Sequence, residues 1–264
     1  MTQSAYIFQG TPDAAELARL QMLEAVFDDP SQRCIRSVGP LLGSRCLEVG
    51  AGAGSIAAWL ASEVGASGAV VAVDTNTRFL GGLPREVQVI EGELSALALP
   101  AGSFDLVHSR YVLIHNANTD EILDAMFKAL KPGGALILEE PDFSSARAFT
   151  GPPPLRQAFD NVQKAIRETF SARGMDHAFG SALPELLEKR GAKLRTLEYD
   201  CPVASGGSRL AEMMRLSTIA LQEKYLATGL VTPTDIANYG EFAKKTSCWA
   251  NYYATVRIGA EKGL

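Results

Sequence analysis

The stretch CLEVGAGAGSIAAWL at 46–60 constrains the fold more than any other part of the chain. A short apolar run at 45–49 closes on Glu48 and Val49. Gly50, Gly52 and Gly54 follow, and then Ile56, Ala57, Trp59 and Leu60 recur with helical periodicity. A strand that passes through glycines into a helix needs residues free to take positive φ, and its bare backbone lets a ligand come close. AVVAVD at 69–74 is an unbroken apolar run, as in strands buried on both faces. Further strands are expected at 87–91, 104–108 and 135–140, with a helix near 120–130 that stops at Lys131-Pro132-Gly133-Gly134. Such alternation predicts an α/β fold, doubly wound, with a mostly parallel sheet. Two later segments, 192–199 and the aromatic, β-branched 249–258, raise the sheet to seven strands.

The flanks break this rhythm. Leu17, Leu20, Leu23, Ala25 and Phe27 place an amphipathic helix at 13–28, and a second short one is expected at 31–38 before Gly39-Pro40. Helical segments at 151–173 and 208–245 interrupt the later part of the core, with another helix at 180–190. The expected organisation is an N-terminal helical lid at 1–40, a binding core at 41–140, and a region at 141–264 that completes the sheet and carries an inserted helical cap.

The chemistry begins at the first two strand tips. A pyrophosphate has no use for an acid two residues before the first glycine, whereas an amino-bearing or cationic ligand does; Glu48 stands there. The third glycine falls at Gly54 in a GxGxG pattern, and Ser55 occupies the position where a dinucleotide motif wants glycine. Asp74 ends the second strand roughly 20 residues on, where an acid grips both ribose hydroxyls. The alternative role, ranked second, is a helix N-cap at Asp74 or Thr75. A nicotinamide-dependent oxidoreductase on a similar sheet is an alternative, and against it stand Glu48, the GxGxG spacing and the lack of a Tyr-xxx-Lys pair: His115 stands four residues after Tyr111.

Glu48 with the three alternating glycines, then Asp74, then EGELSALALPAGSFDLVHSRYVLIH at 91–115, then LKPGGALILEE at 130–140, resemble in order the class I (Rossmann-like) S-adenosylmethionine (SAM)-dependent methyltransferases. The resemblance covers about residues 45–140. Tyr6, Glu16, Arg19 and Leu20 are similar to the opening of a group that acts on small molecules. The resemblance implies that Glu48 and the turn Gly50, Ala51, Gly52 and Gly54 hold the amino-acid end of SAM. It implies that Asp74 binds the ribose and that Thr75 and Asn76 line the adenosine. Glu93 and Leu94 would lie beside adenine, with Glu93 where the family has aspartate. Ser109 and Arg110 would lie near the methionine part and the methyl group.

Methyl transfer needs alignment and exclusion of water, and a base only if the acceptor carries a proton. His115 is the first candidate base and His177 the second, and Glu139 or Glu140 faces the acceptor from the fifth strand's end. Tyr6, Phe8, Tyr111 and Phe179 are candidates for the acceptor pocket. Tyr6 and Phe8 sit in a polar terminal stretch, so residues 1–28 are expected to close over both ligands. The net charge of −5 and the absence of a run of basic residues argue against nucleic acid. Cys34, Cys46, Cys201 and Cys248 are scattered, without metal spacing. The N-terminus lacks a basic-then-apolar leader and no apolar stretch is long enough for a membrane. A cytoplasmic methyltransferase is expected, independent of metal, acting on O or N rather than C or S of a small, partly apolar acceptor, in a setting such as secondary metabolism. A homodimer is compatible with the aromatic-rich flanks. A protein that binds SAM as a scaffold or for other chemistry is the remaining alternative.

Overall fold

The computed structural model describes residues 6–263. Residues 1–5 of the expected lid lie outside them. In chain order the strands are β1 (Arg45–Val49), β2 (Ala69–Asp74), β3 (Val87–Glu91), β4 (Phe104–Arg110), β5 (Leu130–Asp142), β6 (Arg147–Ala148), β7 (Lys193–Asp200), β8 (Val203–Ser205), β9 (Trp249–Asn251) and β10 (Ala254–Glu261). The helices are α1 (Asp13–Arg36), α2 (Ser55–Val64), α3 (Thr119–Ala129), α4 (Pro153–Ser171), α5 (Leu183–Glu188), α6 (Arg209–Ala220), α7 (Gln222–Ala227) and α8 (Pro233–Lys244).

Seven strands form one sheet in the order β3-β2-β1-β4-β5-β10-β7, parallel except for β10, which runs antiparallel to both neighbours. The expected α/β class and seven-stranded, mostly parallel sheet are therefore present. Chain order reverses between β1 and β4, the place where open α/β sheets leave a crevice at their carboxyl ends. Side-chain alternation gives each face its own core. Cys46, Val70, Ala72, Leu106 and Ile137 pack under Ile56, Ala57 and Leu60 of α2 and Ile35 of α1. Leu47, Val71, Val107, Leu136 and Leu138 share the larger core with α3 and the helices after β5.

Three boundaries differ from expectation. The two N-terminal helices are one, because α1 continues through Pro30. Proline removes one backbone donor and disturbs the preceding turn. Here the Ser31 hydroxyl donates to the Phe27 carbonyl at 2.8 Å, and Arg110 donates to Ser31 Oγ at 2.9 Å and to Asp28 Oδ1 at 3.0 Å. The helix is thus held from the side across its weak turn. The Lys131–Gly134 terminator ends α3 but lies inside β5: Phe104 pairs with Leu130 and Leu106 with Ala135, so the intervening residues bulge, with Gly133 at φ 72°. The expected last strand is two. Trp249 belongs to a small sheet ordered β6-β9-β8, and only Ala254–Glu261 joins the main sheet.

Helices α4, α6, α7 and α8 form a layer above the strand tips, and α1 packs against α6 and α2 beside it. Among the described residues no helix is long and apolar enough to cross a membrane.

Candidate active site

The carboxyl ends of β1, β2 and β4 open into a cavity of about 470 Å³ roofed by α1, α4, α6 and α7. Glycine conformation shapes its floor. Gly50, Gly52 and Gly54 have φ of 73°, 60° and 95°, values that a side chain disfavours. Their surroundings differ. A Cβ at Gly50 would lie 2.1 Å from Val112 Cγ2, and one at Gly54 would lie 2.8 Å from Leu83 Cδ2. At Gly52 it would meet nothing nearer than Leu20 Cδ2 at 3.5 Å. Gly52 is therefore the glycine that leaves backbone bare to the cavity, whereas Gly54 serves packing at the start of α2 and is not on the wall.

Asp74 holds this floor. Its carboxylate accepts from Gly52 N and from Asn76 N, each at 2.9 Å, and no helix follows it. The helix-cap reading is thus replaced by a brace between the two strand tips. Burial raises its pKa against the three amides that stabilise the charge. Asp74, Thr75, Asn76, Glu93 and Leu94 all line the cavity; Glu93 accepts from Asn118 Nδ2 at 2.5 Å.

Glu48 lines the cavity as one end of a buried row. His108, directly opposite it on β4, places Nδ1 2.6 Å from Glu48 Oε2 and Nε2 3.0 Å from Glu139 Oε1. Arg257, opposite Glu139 on β10, donates to Glu139 Oε2 and to Asp200 Oδ2, both at 2.9 Å. Charges of alternating sign thus cross β1, β4, β5, β10 and β7 on the α1 face. Burial alone would lower the His108 pKa, but the flanking carboxylates win and raise it to about 9, so both ring nitrogens donate. Burial opposes ionisation of Glu139 too, yet His108 and the two nearby arginines bring it down to about 2.

The other end of the cavity is aromatic. Tyr111 at the tip of β4 takes φ 56°, a strained value for a bulky residue, and its hydroxyl lies 2.5 Å from Thr255 Oγ1. Its ring meets Tyr253 and Phe27 edge-on at 6.1 and 5.3 Å. Phe143 stacks on Phe170 at 5.5 Å, and Phe170 stacks on His115 at 6.0 Å. The N-terminal segment closes this ring. Ile7 and Phe8 are buried, and Lys224 of α7 donates to the Ile7 carbonyl. Tyr6 donates to Glu16 Oε1 at 2.5 Å, while Arg19 binds both Glu16 oxygens and Tyr6 Oη and lies over the Phe8 ring at 3.8 Å. Tyr6 and Phe8 both reach His115, at 5.4 and 6.3 Å between centroids.

The cavity brings together Glu48, Gly50, Ala51, Gly52, Asp74, Thr75, Asn76, Glu93, Leu94, Arg110, Tyr6, Phe8, Tyr111 and His115. It leaves out five other residues read from the sequence. Gly54 packs beneath the floor. Ser109 is fully buried and its hydroxyl has no partner. His177 lies outside the wall and offers its carbonyl to Phe143 N at 2.9 Å. Phe179 is buried in the larger core. Glu140 accepts from the amides of Val112, Leu113 and Ile114 at 3.0, 2.8 and 3.2 Å, so it shapes the loop that carries His115. Burial raises its pKa to about 8 despite those amides. Neither Glu139 nor Glu140 faces an acceptor or solvent: strand alternation buries one in the charged row and the other under the loop.

Some wall residues escaped the sequence reading. Phe170, Met213, Met214 and Tyr225 come from the cap, where no motif marks them. Arg19 and Glu16 were visible only as part of a family-like opening. Glu24 accepts from Ser55 N at 3.1 Å and Asp28 from the Ser55 hydroxyl at 3.0 Å, which docks α1 on the first turn of α2.

Residues 47–138 match the model of a methyltransferase domain. Among curated proteins, the chain is similar to methyltransferase str3 of Strobilurus tenacellus, with 32% identity over 56% of this chain and 52% of that protein. It is also similar to methyltransferase str2 of the same organism, with 27% identity over 82% and 83%. The first of these matches spans about half the relative's length. A ubiquinone/menaquinone biosynthesis C-methyltransferase of Methylococcus capsulatus is 33% identical over 37% of this chain and 43% of that protein. In fold, the chain resembles a Haemonchus contortus phosphoethanolamine N-methyltransferase solved with SAM, at TM-score 0.57 and 18% identity, covering 93% of this chain and 57% of that one. A SAM-dependent methyltransferase of Mesorhizobium loti aligns at TM-score 0.52 and 17% identity, over 88% and 96%. The sheet order, the ordered motifs and the domain match at 47–138 all agree with a class I SAM-dependent methyltransferase.

Proposed function

We propose that the chain moves the methyl group of SAM to O or N, in preference to C or S, of a small and partly apolar acceptor. One observation supports the reading: a single cavity joins the floor of Glu48, Gly52 and Asp74 to an aromatic end. The residues present fit that cofactor. Its ammonium group finds the Glu48 carboxylate, whose Oε2 is braced by His108. Gly52 leaves room for close approach over bare backbone. Asp74 and Glu93 offer carboxylates where hydroxyls and an exocyclic amine need acceptors. When bound, SAM supplies a methyl group on a sulfonium centre. The chain's own part is to bind, orient and exclude water.

Residues 6–28 act as the lid in this account and α4, α6 and α7 as the cap. We place that activity in secondary metabolism, and the acidic balance of the chain favours a small acceptor over nucleic acid. Thermal unfolding with SAM or with NADH tests the cofactor half: at a hundredfold excess over Kd a ligand adds about 2.7 kcal/mol, and only SAM should raise the midpoint. Mass spectrometry of incubations with SAM and candidate acceptors tests the rest. Slow decay of SAM without a methylated product would leave binding without transfer and refute the proposal.

A further inference from the structure

The cavity wall has an uneven chemistry. Five carboxylates line it, and each already has a partner. Glu24 serves Ser55, Glu48 serves His108, Asp74 serves Gly52 and Glu93 serves Asn118. Glu16, the one nearest the aromatic end, is neutralised by Arg19 and Tyr6. Arg19 in turn spends its donors on Glu16 and Tyr6 and stacks on Phe8. The remaining surface at this end is built from Phe143, Phe170, Met213, Met214 and Tyr253. Flat rings stack well on such a wall, and thioethers adapt to them.

His115 brings an imidazole to this mostly apolar wall, which also carries Asn116 and the hydroxyl-bearing Ser217 and Tyr225. Its ring lies on the cavity wall, edge-on to Tyr6 and stacked on Phe170. Its Nδ1 is buried and has no hydrogen-bond partner, which leaves Nε2 as the ring nitrogen open to a ligand. Burial, reinforced by Arg19 and Arg173, lowers its pKa to about 3 and keeps it neutral.

Resting on the methyltransferase reading above, we propose that the acceptor is an uncharged, flat aromatic molecule whose hydroxyl sits on His115 and receives the methyl group. An alkylammonium at the aromatic end would enter the field of Arg19, and the carboxylate there, Glu16, is already ion-paired with that arginine. It also has no lone pair until it loses a proton, and so weak a base cannot take that proton first. A hydroxyl oxygen keeps lone pairs while still protonated. In the transfer, the oxygen forms the new O–C bond while the C–S bond of the sulfonium donor breaks and its electron pair stays on sulfur. The hydroxyl proton passes to His115 as the oxygen becomes acidic, and the imidazolium then releases it to water. Even a weakly basic imidazole is a far better base than a protonated ether, so the proton moves with the methyl group.

The test is calorimetric and uses the whole chain saturated with S-adenosylhomocysteine (SAH). The probes are 2-naphthol, naphthalene and 2-naphthylmethylammonium. Naphthol should bind about tenfold tighter than either of the others, the worth of roughly one hydrogen bond to a buried group. His115→Phe should bring naphthol down to the affinity of naphthalene and leave SAH affinity within about twofold, since an apolar ring replaces only the bonding nitrogen. If that variant does not fold, His115→Leu carries the same expectation. Three outcomes would overturn the proposal: an ammonium probe that matches or beats naphthol, a naphthol preference that survives loss of the imidazole, or SAH binding with none of the probes following. Failure to bind SAH at all would instead strike the methyltransferase reading beneath it.

Discussion

Three glycines separated by single residues do three different jobs, and substitution separates them. At Gly52 an added methyl group meets no protein atom within 3.4 Å but enters the cavity. Gly52→Ala should cost about 1–2 kcal/mol for its positive φ and weaken SAH binding about tenfold or more. Gly54→Ala drives a methyl group into Leu83 and Leu80, so it should lose a further 1–3 kcal/mol or so of stability through overpacking. Its SAH affinity should be much less affected; denaturant unfolding beside calorimetry separates the two. The histidines make opposite demands on pH. His108, raised from 6.5 to about 9, contributes stability that is complete below about pH 6.5 and lost as pH rises through 9. His115, lowered to about 3, contributes stability above about pH 6.5 that is lost as pH falls toward 3. Unfolding curves from pH 4 to 10 should therefore flatten on the alkaline side in His108→Gln and on the acid side in His115→Phe, by at most about 1.4 kcal/mol per pH unit for each group.

Among the elements, α1 and the short segment before it decide how closed the site is. Tyr6, Glu16, Arg19 and Phe8 form one bonded unit above the cavity, so Arg19→Ala frees both the tyrosine and the glutamate. Hydrogen exchange in residues 6–28 should slow when SAH binds to the native chain and slow less in Arg19→Ala; an unchanged rate on binding would show that this segment is no lid. The strand tips were legible in the sequence because a buried strand, a glycine turn and a terminal acid are each local signals. Glu48, Gly52 and Asp74 could be read for that reason. The path of α1 was not legible: Pro30 reads locally as a break, and what carries the helix past it comes from Arg110, far away in the chain. The division of the last strand after Asn251 was hidden too, since β9 pairs with β6 and β8 while its composition suits either sheet. His177, Phe179 and Glu140 were chosen for chemistry or position, and only the packing of the segment after β5 shows that they face away. Met213 and Met214 sit in an ordinary amphipathic pattern, where core and cavity look alike.

Across the whole molecule, the row from Glu48 to Asp200 ties the cofactor end of the sheet to its far edge through His108, Glu139 and Arg257. Arg257 is 1% exposed, so its removal leaves Glu139 Oε2 buried without its bonded arginine while His108 still holds Oε1. Arg257→Ala should cost about 3–5 kcal/mol, measured by denaturant unfolding, the usual penalty for breaking one side of a buried pair. Burial raises the pKa of Glu48 at the base of the cavity and the neighbouring His108 opposes that rise, so the same row is why the antiparallel β10 matters to a site on β1. The account as a whole stands on that cavity holding a sulfonium nucleoside. Isothermal titration of the purified chain with SAM and with SAH tests this most directly. One saturable site for each is the predicted result, with both weakened in Gly52→Ala; heats no greater than those of dilution, from protein that unfolds cooperatively, would contradict it.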